Sequence, residues 1–433
     1  MSNTQDYVQW FRAAAPYIKA HRDTTSVIMV SDEVIHSDRF IGLVHDIALL
    51  NHLGMKLVIL HGSRHSIDRH LADNSLESRF HENIRITDAT TLPYVVQAIN
   101  EVRTYFESHL SMGLPNTPMS GSEITLASGN FVIGMPLGVI GGVDMQHSGK
   151  VRAIRHRAIR ELLELNHVVL LSNLGYSRTG EVFNLPTEEL ACEVARALAA
   201  DKLLYVHHPR SGERPLPGNL STRDCETLLD GDSVSETQKN LLRLAIEAIH
   251  GQVKRVHFID QQVDGGLLLE LFTRDGYGSM VTNLFYEGSR AANIDDIGGI
   301  LSLIEPLEAS GVLIVRSREQ MELEIRHFEV IEKDGTIIGC IACIPDHAEK
   351  RAEIACLAIH DDYRRAGLGS MLLEIAEQRA RQYGISQLYT LTTRTSHWFI
   401  EHGFEESGDA VLPQTRRGSY NPARGSKILA KSI

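Results

Sequence analysis

The segment RRAGLGS, residues 364–370, places two arginines and two glycines directly before an apolar helical pattern. Gly367 and Gly369 have no side chains, so the backbone can approach a ligand closely at this point. The first amides of a helix have no partner within the helix and carry the positive end of its dipole. Arg364 and Arg365 add positive charge. The segment therefore predicts a turn that binds a diphosphate.

The elements around this turn follow a definite order. The strand pattern EIACLAIH precedes it, and the helical pattern SMLLEIAEQRARQYG, the strand QLYTLTT and the helical segment HWFIEHGF come after it. This succession resembles the GCN5-related N-acetyltransferase fold. The resemblance implies that the turn and the strand before it bind acetyl-CoA as a co-substrate. The residues at the matching positions are Leu357, Ile359, Arg364, Gly367, Leu368, Gly369 and Ser370.

Acetyl transfer to an amine requires a base, because an ammonium group must lose a proton before its nitrogen can attack. Glu353 stands at the start of the strand that leads to the turn, and we interpret it as this base; the alternative is a solvated glutamate at a strand end. Thr392, on the next strand, is the candidate proton donor to the departing thiolate, with Thr393 and Ser396 as rivals. Backbone amides around Cys356 are expected to stabilise the oxyanion. Cys356 itself lies in an apolar strand and is not expected to be a nucleophile.

Two arginines indicate the chemistry of the acceptor. Arg316 in LIVRSRE and Arg424 in NPARGSK flank the predicted cleft. Arginine is suited to bidentate recognition of carboxylates, and a dicarboxylic amino acid such as glutamate would use both residues. Each arginine alone is more often a surface charge. The residues therefore favour an acidic acceptor.

The chain before residue 285 alternates strand and helix patterns, which is typical of a mainly parallel sheet covered on both faces. The strand patterns are TSVIMV, KLVILHG, HVVLLSN, KLLYVHH and RVHFID, and the clearest helical patterns are FIGLVHDIALLNHLG and TEELACEVARALAADK. The glycines and prolines of residues 208–226 predict a loop. We predict an α/β protein with a three-layer domain at 1–284 and a smaller α/β domain at 285–433.

The first domain resembles the amino-acid kinase family, in its N-acetylglutamate kinase branch, through LVILHGSRHSID, NIRITD, AADKLLYV and HFIDQQVDGGLLLELFTRDGYGSM. A kinase of this family needs lysines and paired glycines to hold the transferring phosphate. Met29 stands at the first lysine position, Ser31 and Asp32 replace a glycine pair, and Lys239 is out of register. An acidic side chain there would repel a triphosphate. We predict that the domain does not transfer phosphate.

The pairing of these two domains resembles the bacterial N-acetylglutamate synthase family over nearly the whole chain. The resemblance implies acetylation of L-glutamate, the first step of arginine biosynthesis, with Glu353 as base and with Arg316, Arg424 and Cys356 at the acceptor. It also implies a hexamer that L-arginine inhibits, with an N-terminal helix at WFRAAAPYIKAHR that links subunits. The effector positions are Tyr17, Lys202, His257, Glu270 and Gly276. Packing roles for Tyr17 and His257, and a surface charge for Lys202, are the alternatives.

Bulk properties exclude several other classes of protein. A net charge of -12 argues against nucleic acid or an anionic membrane as a partner. No apolar run reaches the length of about 18 residues that a membrane span needs. Five scattered cysteines predict a reducing, cytoplasmic location. Cys340 and Cys343 form a CxxC inside a strand pattern, so we expect neither a metal nor a tightly bound cofactor.

Other functions remain compatible with the sequence. They are an acetyltransferase for another acidic amino acid, an N-acetylglutamate kinase with an accessory acetyltransferase domain, and a non-catalytic arginine sensor. The missing lysine and glycines disfavour the kinase. The carboxylate of Glu353 and the complete glycine turn disfavour the sensor.

Overall fold

The computed structural model describes residues 2–112, 120–121, 124–207, 213–231, 233–273, 276–282, 289–333, 336–363, 367–418 and 420–433, without the side chains of residues 2–7, 9, 362 and 423. The chain folds as two compact units, an N-terminal unit, Met1–Asn283, and a C-terminal unit, Leu284–Ile433. The sequence boundary near 285 falls among residues outside the described ranges. Within those ranges, every helix is too short or too polar to cross a lipid bilayer.

The N-terminal unit alternates strands and helices along most of its length. Its strands are β1 Thr25–Val30, β2 Lys56–His61, β3 Arg79–His81, β4 Ile84–Ile86, β5 Leu126–Ala127, β6 Val132–Pro136, β7 Val139–Ile140, β8 Val143–Asp144, β9 Gly149–Ile154, β10 Val168–Ser172, β11 Leu174–Tyr176, β12 Val182–Asn184, β13 Lys202–His207, β14 Asn219–Leu220, β15 Arg255–Asp260 and β16 Ser279–Thr282. Its helices are α1 Ser2–His21, α2 Asp32–Ile35, α3 Phe40–His52, α4 Arg64–Asp73, α5 Leu92–Leu110, α6 His156–Glu164, α7 Thr187–Leu198, α8 Thr222–Asp230, α9 Glu236–His250 and α10 Gly266–Phe272.

The main sheet of this unit has the order β14-β16-β15-β13-β1-β2-β10-β5. Its pairs are parallel except β15 with β16, which is antiparallel. Alternate residues of β1 enter two different cores: Val27 and Met29 pack on the side of α7 and α9, whereas Ile28 and Val30 pack on the side of α3 and α5. The three-layer, mainly parallel architecture is confirmed, and the five strands predicted from sequence lie side by side at its centre.

The predicted loop at residues 208–226 is wrong in its last part. Helix α8 begins at Thr222, after the N-cap Ser221. The Ser221 hydroxyl accepts a hydrogen bond from the Asp224 amide, and the Asp224 carboxylate accepts one from the Ser221 amide. Serine and aspartate are common in loops, but at this spacing they form a capping box that starts a helix.

The C-terminal unit is built on one sheet with helices on both faces. Its strands are β17 Ser289–Ala291, β18 Phe328–Lys333, β19 Thr336–Asp346, β20 Arg351–Ile359, β21 Gln387–Thr392, β22 Glu405–Ser407 and β23 Lys427–Ser432. Its helices are α11 Ile297–Ala309, α12 Arg318–Glu324, α13 Leu368–Gln382, α14 Ser396–Glu401 and α15 Gln414–Arg417. The sheet order is β17-β18-β19-β20-β21-β23-β22, and only the β20–β21 pair among the described strands is parallel.

The two faces of this sheet hold separate cores. Helices α11 and α12 pack on one face, through residues such as Ile300 and Met321, and α13 packs on the other, through Leu372. Cys340 belongs to the first core and Cys343 to the second, because an odd sequence separation in a strand directs side chains to opposite faces. The CxxC pair therefore cannot bind one metal ion together.

Candidate active site

The central cavity of the C-terminal unit forms where two parallel strands separate. Strands β20 and β21 pair only over Arg351–Glu353 and Gln387–Tyr389. Beyond this short ladder their remaining residues line a cavity of about 860 Å³, together with α11, the loop after it and the start of α13. The separation exposes the backbone edges of both strands to the cavity, since neither can pair with the other there.

A β-bulge distorts β20 inside this cavity. Between two regular pairs of β19 and β20, Cys356 and Leu357 stand opposite the single residue Ile341. Cys356 has a positive φ of 50°, a rare conformation for a non-glycine residue. A bulge of this kind interrupts the regular hydrogen-bond ladder and re-aims side chains and amides. Leu357 and Ile359, which we predicted to contact the co-substrate, both line the cavity.

The thiol of Cys356 is unsuited to nucleophilic catalysis. Burial raises the pKa of Cys356 to about 11, against the opposing effect of the Arg316 guanidinium. The thiolate is the nucleophilic form of cysteine, so a thiol with this pKa is inert near neutral pH. Cys356 lines the cavity and contacts a guanidinium nitrogen of Arg316 through its sulfur.

The glycine turn opens into the same cavity. Gly367 is the N-cap of α13 with a φ of 72°, and both Gly367 and Gly369 line the cavity. A Cβ atom added to Gly369 would lie 3.3 Å from the indole of Trp398, so the turn packs closely on α14. Leu368 points into the core, which leaves only its backbone to contact a ligand. Arg364 lies outside the described residues.

Ser370, in the first turn of α13, is connected to a histidine that the sequence argument did not single out. Its hydroxyl lies 2.8 Å from Nε2 of His402. The Nδ1 atom of His402 lies 2.8 Å from the carbonyl oxygen of Trp398, so Nδ1 carries a hydrogen and donates it. In the neutral imidazole, Nε2 then accepts from Ser370. His402 therefore orients the hydroxyl of Ser370 at the wall of the cavity.

Glu353 lies at the point where β20 and β21 separate, and it is 8% exposed. Its carboxylate accepts hydrogen bonds from Nε of Arg416 at 2.7 Å and from Nη2 of the same residue at 3.2 Å. Arg416 belongs to the four-residue helix α15 and lines the cavity. Arg416 could not be chosen from the sequence, because it is 63 residues away from Glu353 and belongs to none of the motifs.

The two arginines predicted at the acceptor both line the cavity. Arg316 forms an ion pair with Glu324 at 3.3 Å. Arg424 donates from Nη2 to the carbonyl oxygens of Gly311 and Val312 at 3.0 and 3.2 Å. These contacts fix both guanidinium groups at the cavity wall.

Thr392 also lines the cavity, and its hydroxyl has local partners. The amide of Thr395 donates to it at 3.0 Å, and the hydroxyl of Thr395 lies 2.8 Å away. Thr392 therefore shapes the turn after β21. Either hydroxyl can be the donor of this pair, so Thr395 is a second hydroxyl next to Thr392 in this part of the cavity.

In the N-terminal unit, the predicted effector residues Glu270, His257 and Gly276 lie close together. Nδ1 of His257 lies 2.5 Å from a Glu270 oxygen, and the amides of Tyr277 and Gly278 donate to Glu270 at 2.7 Å each. A Cβ atom on Gly276 would lie 2.6 Å from Oε2 of Glu270. Burial opposes ionisation of Glu270, but His257 and these amides lower its pKa below the usual range.

Lys202 and Tyr17 lie on the elements next to this cluster. Lys202 is buried, and its ammonium donates to Nδ1 of His21 at 3.1 Å. Burial first, and then the charge of Lys202, lower the pKa of His21 to about 4, so this imidazole is neutral. His21 in turn donates from Nε2 to the carbonyl of Leu271 at 2.6 Å. Tyr17 precedes His21 by one turn of α1 and packs against the core.

A second large cavity, of about 1130 Å³, lies in the N-terminal unit at the carboxyl ends of β1, β2 and β10. Met29, Asp32 and Ser63 are among its lining residues. Ligands of open α/β sheets commonly bind at this edge. Met29 and Asp32, which we predicted to replace a lysine and a glycine of the family, thus lie in this cavity, and Arg64, Arg85 and Arg243 line it as well.

Two family matches agree with these two architectures. Residues 24–208 match the amino acid kinase family, and residues 305–404 match the acetyltransferase (GNAT) family. The fold and the cavity of the C-terminal unit thus define an acyltransferase of the GNAT class, joined to a unit with an amino acid kinase fold.

Relatives that match the full length of the chain define its family more closely. The amino-acid acetyltransferases of Pseudomonas putida strain GB-1 and Azotobacter vinelandii strain DJ are each 45% identical over 432 residues, 99% of this chain and 100% of theirs. The chain belongs to the amino-acid acetyltransferase family. The crystal structure of N-acetylglutamate synthase from Neisseria gonorrhoeae with coenzyme A and L-arginine covers 99% of both chains at 36% identity and a TM-score of 0.79. The same synthase with coenzyme A and N-acetyl-glutamate gives a TM-score of 0.62 at 36% identity.

Proposed function

We propose that the C-terminal unit transfers the acetyl group of acetyl-CoA to the α-amino group of L-glutamate, releasing N-acetyl-L-glutamate and coenzyme A. The observation that carries this proposal is the content of one cavity: the carboxylate of Glu353, the arginines Arg316 and Arg424, and the helix start at Gly367. Helix-start amides suit the diphosphate of the co-substrate, and arginines suit the carboxylates of the acceptor. The solved synthase complexes with coenzyme A and N-acetyl-glutamate support the same pair of ligands.

The reaction begins with deprotonation of the acceptor. Glu353 takes a proton from the α-ammonium group, and the neutral nitrogen attacks the thioester carbonyl carbon. The carbonyl oxygen becomes an oxyanion that backbone amides at the bulge around Cys356 stabilise. The carbon–sulfur bond then breaks, and the nitrogen, which still carries two hydrogens, releases one of them to water and keeps the other as the N–H of the product amide. The thiolate takes up a proton from Thr392, or from Thr395 or a water molecule next to it.

Regulation belongs to the N-terminal unit in this proposal. L-arginine binds next to Glu270, whose ionised carboxylate suits a guanidinium group, and Lys202 suits the carboxylate of the amino acid. Tyr17, His257 and Gly276 complete the site. The coupling between this site and the reaction is a free energy of roughly 1–3 kcal/mol. The solved synthase complex with L-arginine supports this choice of effector.

The wider setting follows from the same proposal. The reaction is the first step of arginine biosynthesis, and the enzyme works in the cytoplasm as a hexamer without a tightly bound cofactor. Residues 1–284 supply regulation and have no kinase activity, and residues 285–433 supply catalysis. Sedimentation of the purified chain tests the hexamer, and a dimer or monomer at working concentrations would contradict it.

One assay tests the main proposal. Free thiol released from acetyl-CoA is measured with each common amino acid in turn, with and without L-arginine. We expect glutamate to give the highest rate and arginine to decrease it. A higher rate with aspartate than with glutamate would make aspartate the acceptor. A rate that does not change when L-arginine is added would contradict the proposed inhibition by arginine.

The rival function, phosphorylation of N-acetylglutamate, is disfavoured by one contact. The carboxylate of Asp32 accepts a 2.6 Å hydrogen bond from the amide of Ser66 at the start of α4. A phosphate bound at these amides would meet this negative charge. An assay for ADP formation from ATP, with and without N-acetylglutamate, tests this rival function. We expect no ADP formation; formation that requires N-acetylglutamate would support kinase activity.

A further inference from the structure

The base of the proposed reaction is already paired with a cation. Nε and Nη2 of Arg416 donate to the two carboxylate oxygens of Glu353 at 2.7 and 3.2 Å, and the glutamate is buried. This hydrogen bonding also raises the pKa of Arg416. Protonation of Glu353 in this two-point contact would break an ion pair that is shielded from water, so the carboxylate must be released from Arg416 before it can take a proton.

We propose that Arg416 masks Glu353 until a carboxylate of the acceptor captures the guanidinium group and leaves Glu353 free to accept a proton. The proposal rests on the acetyltransferase function proposed above. We call this exchange of partners at Arg416 the gate. Because only a negatively charged acceptor can bind the guanidinium group, Glu353 becomes available only when an acidic amino acid occupies the cavity.

The placement of Arg416 suits such an exchange. The helix that carries it, α15, is held by two hydrogen bonds: the backbone amide of Gln414 donates to Glu349 at 2.8 Å, and the side-chain hydroxyl of Thr415 donates to Asp346 at 2.9 Å. The side chain of Arg416 is half-buried and reaches the cavity, so rotation of its side chain can change its partner without moving the helix. Arginine binds any carboxylate in the same bidentate manner, so the contact that Arg416 gains with the acceptor is of the same type as the contact that it loses with Glu353.

The other arginines of the cavity leave a role for Arg416. Arg316 and Arg424 are held by Glu324 and by backbone carbonyls, so they provide fixed points for one end of an acceptor. A dicarboxylic acceptor has a second carboxylate for Arg416. An amino acid without that second carboxylate would bind more weakly and would leave the base masked. Arg316 and Arg424 would then select the acceptor by binding it. Arg416 would select it by releasing Glu353 for the proton transfer.

Masking also protects acetyl-CoA from water. With the acceptor absent, a free Glu353 could take a proton from a water molecule, whose oxygen would form a bond to the thioester carbon while the carbon–sulfur bond breaks. Acetate and coenzyme A would result. When Glu353 is paired with Arg416, this water is not activated. The gate therefore predicts slow hydrolysis in the intact protein and faster hydrolysis when Arg416 is removed.

The test compares Arg416→Gln with Arg417→Gln in the full chain. Arg417 is the next residue of α15, but its guanidinium group donates to the carbonyls of Leu412 and Ala410. For Arg416→Gln we expect kcat/KM for glutamate to fall by about 10–100-fold and thiol release without any amino acid to rise several-fold. Arg417→Gln should match the wild type in both measurements.

Two further variants make the outcome decisive. In the double variant Glu353→Gln with Arg416→Gln, the additional hydrolysis should disappear, because the unmasked base is then absent. Arg416→Lys keeps the charge but loses the two-point contact, so its hydrolysis should lie between the wild type and Arg416→Gln. Calorimetric binding of coenzyme A, equal in all variants, shows that the cavity is folded.

The gate is overturned if Arg416→Gln releases thiol without an acceptor no faster than the wild type, or if the faster release persists in the double variant. These results are distinct from failure of the proposed function. That failure would appear in the wild type itself, as the lack of thiol release with any amino acid.

Discussion

The carboxylate of Asp32 occupies the amino end of helix α4, where the amide of Ser66 donates to it at 2.6 Å. The Ser66 hydroxyl donates to the same carboxylate at 3.1 Å, and Asp32 is 2% exposed. Helix-start amides are a common binding site for phosphate groups. In this chain the carboxyl group of a side chain takes that place. Burial raises the pKa of Asp32, and the hydrogen bonds from Ser66 oppose that rise.

Removal of this carboxyl group should destabilise the N-terminal unit. In Asp32→Ala, the buried amide of Ser66 loses its acceptor, and the Ser66 hydroxyl keeps only its contact with Nε2 of His36, so we expect the free energy of unfolding to fall by about 1–3 kcal/mol. Urea unfolding followed by circular dichroism measures the change. Glu33→Ala is the control, because Glu33 follows Asp32 on α2 but is exposed; it should stay within about 0.5 kcal/mol of the wild type. Equal stability of the two variants would show that the contact is dispensable.

Glu353→Gln should decrease kcat by about 10²–10⁴-fold, since the amide keeps the shape of the side chain but cannot accept the proton of the ammonium group. Steady-state thiol release measures this, and calorimetry should give an unchanged affinity for coenzyme A. Glu374→Gln, on the exposed face of α13, is the matched control and should retain the wild-type rate. If Glu353→Gln reacts at nearly the normal rate, another group is the base.

Gly367→Ala and Gly384→Ala separate backbone strain from ligand binding. Both glycines have positive φ, 72° and 71°, and they lie at the two ends of α13. Each alanine should lower the free energy of unfolding by about 1–2 kcal/mol, because a Cβ atom is strained in this conformation. Only Gly367 lines the cavity, so only its replacement should also raise the KM for acetyl-CoA. If the two variants have equal KM values for acetyl-CoA, the glycine turn has no special role in binding the co-substrate.

Asp46→Asn should stabilise the protein at alkaline pH. Burial, and then the nearby carboxylate of Asp264, raise the pKa of Asp46 to about 7, and its Oδ2 atom is buried without a hydrogen-bond partner. A carboxyl group whose folded pKa exceeds its unfolded value of about 3.9 makes the folded state lose stability as the pH rises from about 4 through 7. The asparagine removes this loss, which we expect to be roughly 2–4 kcal/mol at pH 8.

Thermal unfolding at several pH values checks this expectation. The advantage of Asp46→Asn over the wild type should grow from pH 4 to pH 8, while Asp38→Asn, at an exposed position before α3, should show no such trend. A difference between Asp46→Asn and the wild type that is the same at every pH would mean that Asp46 does not titrate as described.

Much of the fold could be predicted because its signals are local. The β-branched runs of β1, β2, β10, β13 and β15, the three- and four-residue apolar spacing of α3 and α7, and the paired glycines before α13 each lie within one short window of sequence. The prediction that Met29 stands at a family lysine position likewise rests on the sequence alone. Loop composition misled us in the last part of residues 208–226, where Asn219–Leu220 form β14 and where Ser221 and Asp224 cap α8.

The residues that line the cavity could largely be predicted, but the residues that form hydrogen bonds with them could not. Glu353, Arg316, Arg424, Thr392 and the glycines were chosen from motifs, and the structure brings them to one cavity. Arg416 and His402 were not assigned a role, because each gains importance only from one residue far along the chain. The positive φ of Cys356 likewise depends on how β20 pairs with β19, which no local pattern of side chains reveals.

The sequence by itself determined the order of the elements, the two-unit plan and the glycine turn, since these depend on neighbouring residues and on chain chemistry. Only the tertiary structure decided that Arg416 pairs with Glu353, that His402 orients Ser370 and that Asp32 fills the start of α4. Such pairs join residues 32 to 63 positions apart, and their energies depend on distances and burial that exist only after the chain has folded.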